Sequence, residues 1–159
     1  MRWAALALLA AQALAPPALA EDYDPEVLWR CLDANDWSTC ITVSADACLA
    51  TEAGKSTPGI GYCYSEAWQH WDRLLNDAYR LAIAQAQELD ADNAGGPLDL
   101  DSSEEALRTA QRAWIAFRDA ACAYEGTRWS GGTARGPASV SCLMELTARQ
   151  TIFLESRLW

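Results

Sequence analysis

A single histidine, His70, occurs in the 159-residue chain, and no CxxC pair accompanies it, so the usual spacing of a zinc site is missing. No serine sits in a recognisable nucleophile elbow, and six paired cysteines would leave none for nucleophilic work. Carboxylates remain, but Glu104 and Glu105 are accounted for by the helix start they occupy, and nothing points to a second carboxyl across a cleft. The chain therefore reads as non-enzymatic, with no cofactor and no metal. Sustained alternation of apolar and polar residues is also missing, which argues against a sheet. Repeats and low-complexity segments are absent. Beyond the first twenty residues no apolar run is long enough to cross a bilayer, so no membrane anchor is expected.

What the chain does have is acid. Twenty-two acidic residues against 12 basic ones give a net charge of −10. Such a surface repels nucleic acid and anionic lipid and favours cationic partners.

Met1-Arg2 supplies a short positive start, Trp3 to Ala15 an apolar run, and Ala18-Leu19-Ala20 a small-residue cleavage signal before Glu21. Residues 1–20 are read as a signal peptide cut near Ala20, and the mature protein as periplasmic or secreted. No Cys stands at the cleavage point, so no lipid anchor is expected. Removing 20 of the 159 residues leaves 139, a single domain over 21–159, and removing Arg2 takes the net charge from −10 to −11. Cys31, Cys40, Cys48, Cys63, Cys122 and Cys142 all survive, an even set in an oxidising compartment. Sequential pairing is favoured, because each bridge then closes a short connection between neighbouring helices. Each such loop closure is worth roughly 3 kcal/mol in the chain-entropy model.

The pattern is helical throughout: an all-α bundle of about five helices, two short ones on three long ones. Pro25 opens a first helix that Asn35-Asp36 ends at about Ala34, and Ser38 is the expected N-cap of a second through Cys40 and Cys48. Ala53 to Gly59 reads as a loop. A long third helix, from about Tyr62 to Leu89, carries Trp68, Trp71, Leu75, Ala78, Ala82 and Gln85 on one stripe. Asn93-Ala94-Gly95-Gly96-Pro97 breaks it. Ser102 and Glu105 form a capping box for a fourth helix, with Leu107, Ala110, Trp114, Phe117 and Ala121 as its expected buried side and Gly126 as its end. A fifth runs from about Ser139 to Leu158 after a Gly- and Arg-rich loop holding Arg128, Trp129 and Arg135.

Three segments stand out. Asp72-Arg73-Leu74-Leu75-Asn76-Asp77-Ala78-Tyr79 places Asp72, Leu75, Asn76 and Tyr79 on one helical face. Ala110 to Cys122 places Gln111, Trp114, Arg118 and Cys122 along a face of the next helix. Cys142-Leu143-Met144-Glu145-Leu146-Thr147-Ala148-Arg149 then follows. Together they resemble the LprI-like lysozyme-inhibitor family, whose signature reads roughly DxxLNxxY, then AQRAWxxFRDAxC…CxxxLTxxR. The resemblance covers Cys63 to about Leu158. It implies a partner, a lysozyme, whose cleft or approach is occupied without chemistry by the inhibitor. The competing class is a structural or interaction protein of the envelope with an unrelated partner on the same scaffold.

For Asp72, Leu75, Asn76, Tyr79, Gln111, Trp114, Arg118 and Thr147 the packing reading is preferred to a ligand site. Buried polar groups must pair, and Asp72 or Asp119 is within helical reach of Arg118. Asp90, Asp92, Asp99, Asp101, Glu104 and Glu105 gather between the third and fourth helices, with no basic residue from Leu81 to Leu107. As a calcium loop this segment fits poorly, because Ala94 replaces a ligand and Asp101 replaces the bidentate Glu. It is read as a solvated acidic turn on which a cationic protein could dock. Trp129 is either an exposed anchor for a partner or a lid folded on the bundle.

Overall fold

The computed structural model describes residues 22–94, 96 and 101–158. The expected signal peptide and Asp99 lie outside the described residues. Five α-helices form, with no strand among the described residues: α1 Glu26–Ala34, α2 Val43–Leu49, α3 Thr57–Asn93, α4 Ser103–Thr127 and α5 Arg135–Glu155. The three bridges pair sequentially, Cys31–Cys40, Cys48–Cys63 and Cys122–Cys142.

Pro25 is the residue before α1, and Asn35 closes the helix with its N–H on the Cys31 carbonyl. Ser38 does not start a helix. Asp36 accepts its N–H and caps a three-residue 3-10 turn, Trp37–Thr39, instead. The Cys31 bridge holds Cys40 at the end of that turn, and the helix resumes only at Val43.

α3 begins five residues before its expected start. Ser56 caps it by accepting the Gly59 N–H, and Pro58 sits in the first turn, where its missing N–H costs nothing. Gly59, expected in a loop, is helical and buried because a Cβ there would lie 2.1 Å from the Ala53 carbonyl oxygen. Only glycine allows the preceding 3-10 turn (Ala53–Lys55) to come that close.

The buried stripe of α3 is Gly59, Cys63, Ala67, Trp71, Leu75, Ala78, Ala82 and Ala86, recurring every three or four residues. Its small residues admit close neighbours. α5 runs alongside in the same sense, with Thr57 and Pro137 lining one cleft and Ala82 and Leu154 another further along. α4 returns antiparallel between these ends. Trp71 centres the main core with Leu28, Met144, Ala148 and the Cys48–Cys63 bridge, and its indole N–H donates to the Ile41 carbonyl at 3.1 Å. A smaller cluster of Leu75, Ala78 and Leu154 takes Tyr79, Leu107 and Trp114 against it. Tyr23 ties down the N-terminal segment: its hydroxyl donates to Ser44 at 3.2 Å and lies 3.0 Å from His70 Nδ1, the two rings stacked.

α4 is turned differently from its expected orientation. Its fully buried residues are Gln111, Cys122 and Gly126, with Arg118 and Trp114 partly covered on the same side, while Ala110 and Phe117 face solvent. The Cys122–Cys142 bridge fixes this rotation. So does Gly126, whose absent Cβ would fall 2.2 Å from Ser139 Oγ. Gly126 therefore marks both a close approach to α5 and the last turn of α4, which ends one residue later at Thr127.

Candidate functional site

The residues that carry the sequence signature lie along the contacts between α3, α4 and α5, and several bond one another, with Asn76 and Asp119 at the exposed edge. The Arg118 guanidinium donates to Asp119 Oδ1 at 2.9 and 2.8 Å and faces Asp72 at 3.9 Å. Asn76 donates to the other Asp72 oxygen at 3.1 Å, and the guanidinium lies 5.1 Å from the Trp114 ring centre. Only 12% of the Arg118 side chain is exposed. Gln111 accepts from Gln150 across the α4–α5 contact at 3.0 Å. Leu75 is buried and Tyr79 packs beside it. Thr147 is fully buried, and its carbonyl accepts the Thr151 hydroxyl at 2.9 Å. This arrangement ties three helices together.

The acidic turn is likewise partly internal. Asp90 accepts the Ser102 hydroxyl at 2.7 Å and the backbone N–H groups of Ser103 and Glu104 at 2.7 and 3.1 Å. Those bonds, the Ser102 hydroxyl first, hold its carboxyl below the usual range. Ser102 in turn accepts the Glu105 N–H at 3.2 Å, so the expected N-cap forms, but the Glu105 carboxylate takes Thr109 and Arg112 instead of completing a capping box, and Asp90 adds a second cap from another helix. Glu104 and Glu105 are met by Arg108 and Arg112, just beyond the stretch that lacks basic residues. Asp92 and Asp101 remain exposed. Among the described residues, no three His, Cys, Asp or Glu side chains are grouped to hold a metal.

The open concavity lies at the other end of α4. The first turns of α3 and α5 and the connection between α4 and α5 enclose a cleft of about 530 Å³, lined by Ile60, Tyr64, Trp129, Pro137 and Leu146, with Glu125 and Glu145 among its walls. A second cleft of about 690 Å³, lined by Pro58, Tyr62 and Val140, shares Thr57 and Pro137 with the first. Burial, with Glu66 nearby, raises the Tyr62 hydroxyl above its ordinary pKa. Trp129 lines the cleft and is 52% exposed. The connection turns on Ser130 (φ 37°) and Gly131 (φ 75°), a left-handed pair that is costly for serine. Arg128 is tied back to Glu125 at 2.9 Å.

Sequence reasoning singled out Trp129 but not Ile60, Tyr62, Tyr64, Pro137 or Leu146. The available signal was the set of aromatic residues just after Pro58. The two tyrosines there are only partly covered.

The sequence profile of the family described as lysozyme inhibitor LprI matches residues 48–154. An uncharacterised protein of Rhizobium meliloti (strain 1021) is 33% identical over 96 residues, covering 60% of this chain and 69% of that one. An uncharacterised 17.7 kDa protein of Rhodobacter capsulatus is 25% identical over 160 residues, covering 98% and 97%. No solved structure matches significantly. The chain belongs to the lysozyme inhibitor LprI family. That membership and three disulfides point to an extracytoplasmic protein. No helix among the described residues is long and apolar enough to cross a membrane.

Proposed function

We propose that this member of the LprI family is an exported, non-enzymatic protein that blocks a lysozyme by protein–protein contact. The observation that carries the reading is the family match over residues 48–154. The contact surface follows from elimination: the signature residues bond inward, whereas Trp129 stands half-exposed on a strained turn beside an apolar cleft walled by Glu125 and Glu145. An aromatic anchor with carboxylates beside it suits a basic enzyme surface. The acidic turn lies at the opposite end of α4, roughly 37 Å away for a 25-residue helix. Its role in this reading is to add to the long-range field that speeds encounter.

Titration of the exported protein into a bacterial-lysis assay tests the proposal. Stoichiometric loss of lysozyme activity is expected. Undiminished lysis at excess protein would sink it, and would favour an envelope protein with an unrelated partner. Kinetics separate the two surfaces: Trp129→Ala should speed dissociation, while Asp92→Asn with Asp101→Asn should slow association, and only at low salt.

A further inference from the structure

Turning the signature residues inward leaves α4 with an apolar outer face. Ala106, Ala110, Ala113, Phe117, Ala120 and Tyr124 recur in alternating steps of four and three, the spacing of a coiled-coil seam, and all are exposed. Phe117 is 60% and Tyr124 67% exposed. At about 100° per residue the six fall within about a quarter of the helix circumference, roughly opposite Gln111 and Cys122. Ala116 and Ala123, also exposed, widen the strip on one side. The outer face of α3 is mostly polar by contrast: Gln69, Arg73, Asn76, Asp77, Arg80, Gln87 and Glu88 are exposed there, with Leu81 and Ala84 as apolar exceptions.

We propose that this seam is the contact for a second copy of the chain, α4 against α4 in antiparallel register. Both bulky residues lie in the C-terminal half of the seam and only alanines in the N-terminal half. An antiparallel two-fold therefore sets Phe117 against Ala113 of the other copy, Tyr124 against Ala106 and Ala110 against Ala120. Each large side chain meets a small one, and the contact is self-complementary as an isologous interface must be. Parallel pairing would stack Phe117 on itself and Tyr124 on itself, and leave gaps at four alanine layers. The helix dipoles agree: antiparallel copies set the positive end of one α4 beside the negative end of the other, whereas parallel copies stack like ends. The seam spans roughly 27 Å from Ala106 to Tyr124, a small interface, so a dissociation constant of about micromolar or weaker is expected. An apolar contact between two chains of net charge −10 should not weaken with salt, unlike the lysozyme contact, on which this inference does not depend.

Sedimentation equilibrium on the full chain, exported so that its disulfides form, should show a concentration-dependent dimer. Phe117→Glu with Tyr124→Glu should raise the dissociation constant at least about tenfold, with unchanged circular dichroism and melting, since neither side chain is in the core. Orientation is read by a short bismaleimide cross-linker. Ala106→Cys chains mixed with Tyr124→Cys chains should cross-link, whereas Ala106→Cys chains alone should not. A chain that stays monomeric at all concentrations overturns the proposal. So does a dimer indifferent to the glutamates, or one in which Ala106→Cys chains cross-link to themselves.

Discussion

The Ser102 hydroxyl donates to the Asp90 carboxylate at 2.7 Å, and this one contact joins the last turn of α3 to the first residue before α4. The same carboxylate takes two N–H groups of the first turn of α4, which no carbonyl within the helix can reach. Asp90 thus places a negative charge at the positive end of the α4 dipole from a different helix. The direction of α4 after the turn depends on it.

Asp90→Ala is accordingly expected to lower the melting temperature by several degrees, while Asp92→Asn and Asp101→Asn leave it nearly unchanged. Acid should mimic the first substitution. The Asp90 pKa is lowered by folding from an ordinary 3.8, so its contribution is full above that value and fades as pH falls below it. Thermal melts of the three variants against pH check this, and equal effects from all three would refute the capping role.

His70 titrates in the other accessible window. Burial first, and then Arg73, depress its pKa below the ordinary 6.5, against weaker opposing effects of Glu66. The folded chain then binds fewer protons than the unfolded one, so stability is full above pH ~6.5 and declines as pH falls below it. His70→Gln should flatten the stability profile between about pH 5 and 7. The measurement is chemical denaturation at closely spaced pH values. A wild-type midpoint that does not move across this window would contradict the depressed pKa.

The two signature-region tryptophans should separate in a denaturation series. Trp71 is fully buried with its indole N–H bonded, so Trp71→Ala should cost about 3–5 kcal/mol. Trp114 packs on the smaller cluster and is only partly covered, so Trp114→Ala should cost roughly half as much. Equal losses would mean that the smaller cluster matters as much as the main core.

The all-α class, the sequential bridges and the N-cap at Ser102 were legible in the sequence, because each rests on local spacing or on a short chain closure. What was not legible is where distant backbones touch. Gly59 looks like a loop residue until the Ala53 carbonyl is placed beside it, and the close approach of Ser139 to Gly126 adds a packing reason to a glycine that already marks the helix end. The rotation of α4 was misjudged for a related reason. Its apolar residues outnumber its polar ones on both sides, so the hydrophobic pattern pointed to Phe117, whereas the Cys122 bridge and the polar Gln111 and Arg118 mark the true inner face. For the candidate site, Trp129 could be picked out by its glycine-rich setting. Its companions Tyr64 and Pro137 come from two other helices, and only their packing brings them together.

Arg118 and Trp129 allow the proposed division between scaffold and contact surface to be tested in one experiment. Arg118 lies inside the signature region, its side chain 12% exposed and facing Asp72 and Asp119, which are 43% and 57% exposed. Because both carboxylates keep substantial hydration, Arg118→Met should cost only about 1–2 kcal/mol, enough to lower the melting temperature without unfolding the domain. The half-exposed Trp129 should behave oppositely, with Trp129→Ala changing stability by less than about 0.5 kcal/mol. If the contact runs through the loop between α4 and α5, Trp129→Ala should weaken lysozyme inhibition at least about tenfold, and Arg118→Met should leave the stoichiometry of inhibition unchanged below its own melting temperature. The measurement pairs thermal melts with inhibition titrations on the same preparations. An Arg118 variant that keeps its stability but loses inhibition would place the contact among the signature residues and remove Trp129 from the mechanism.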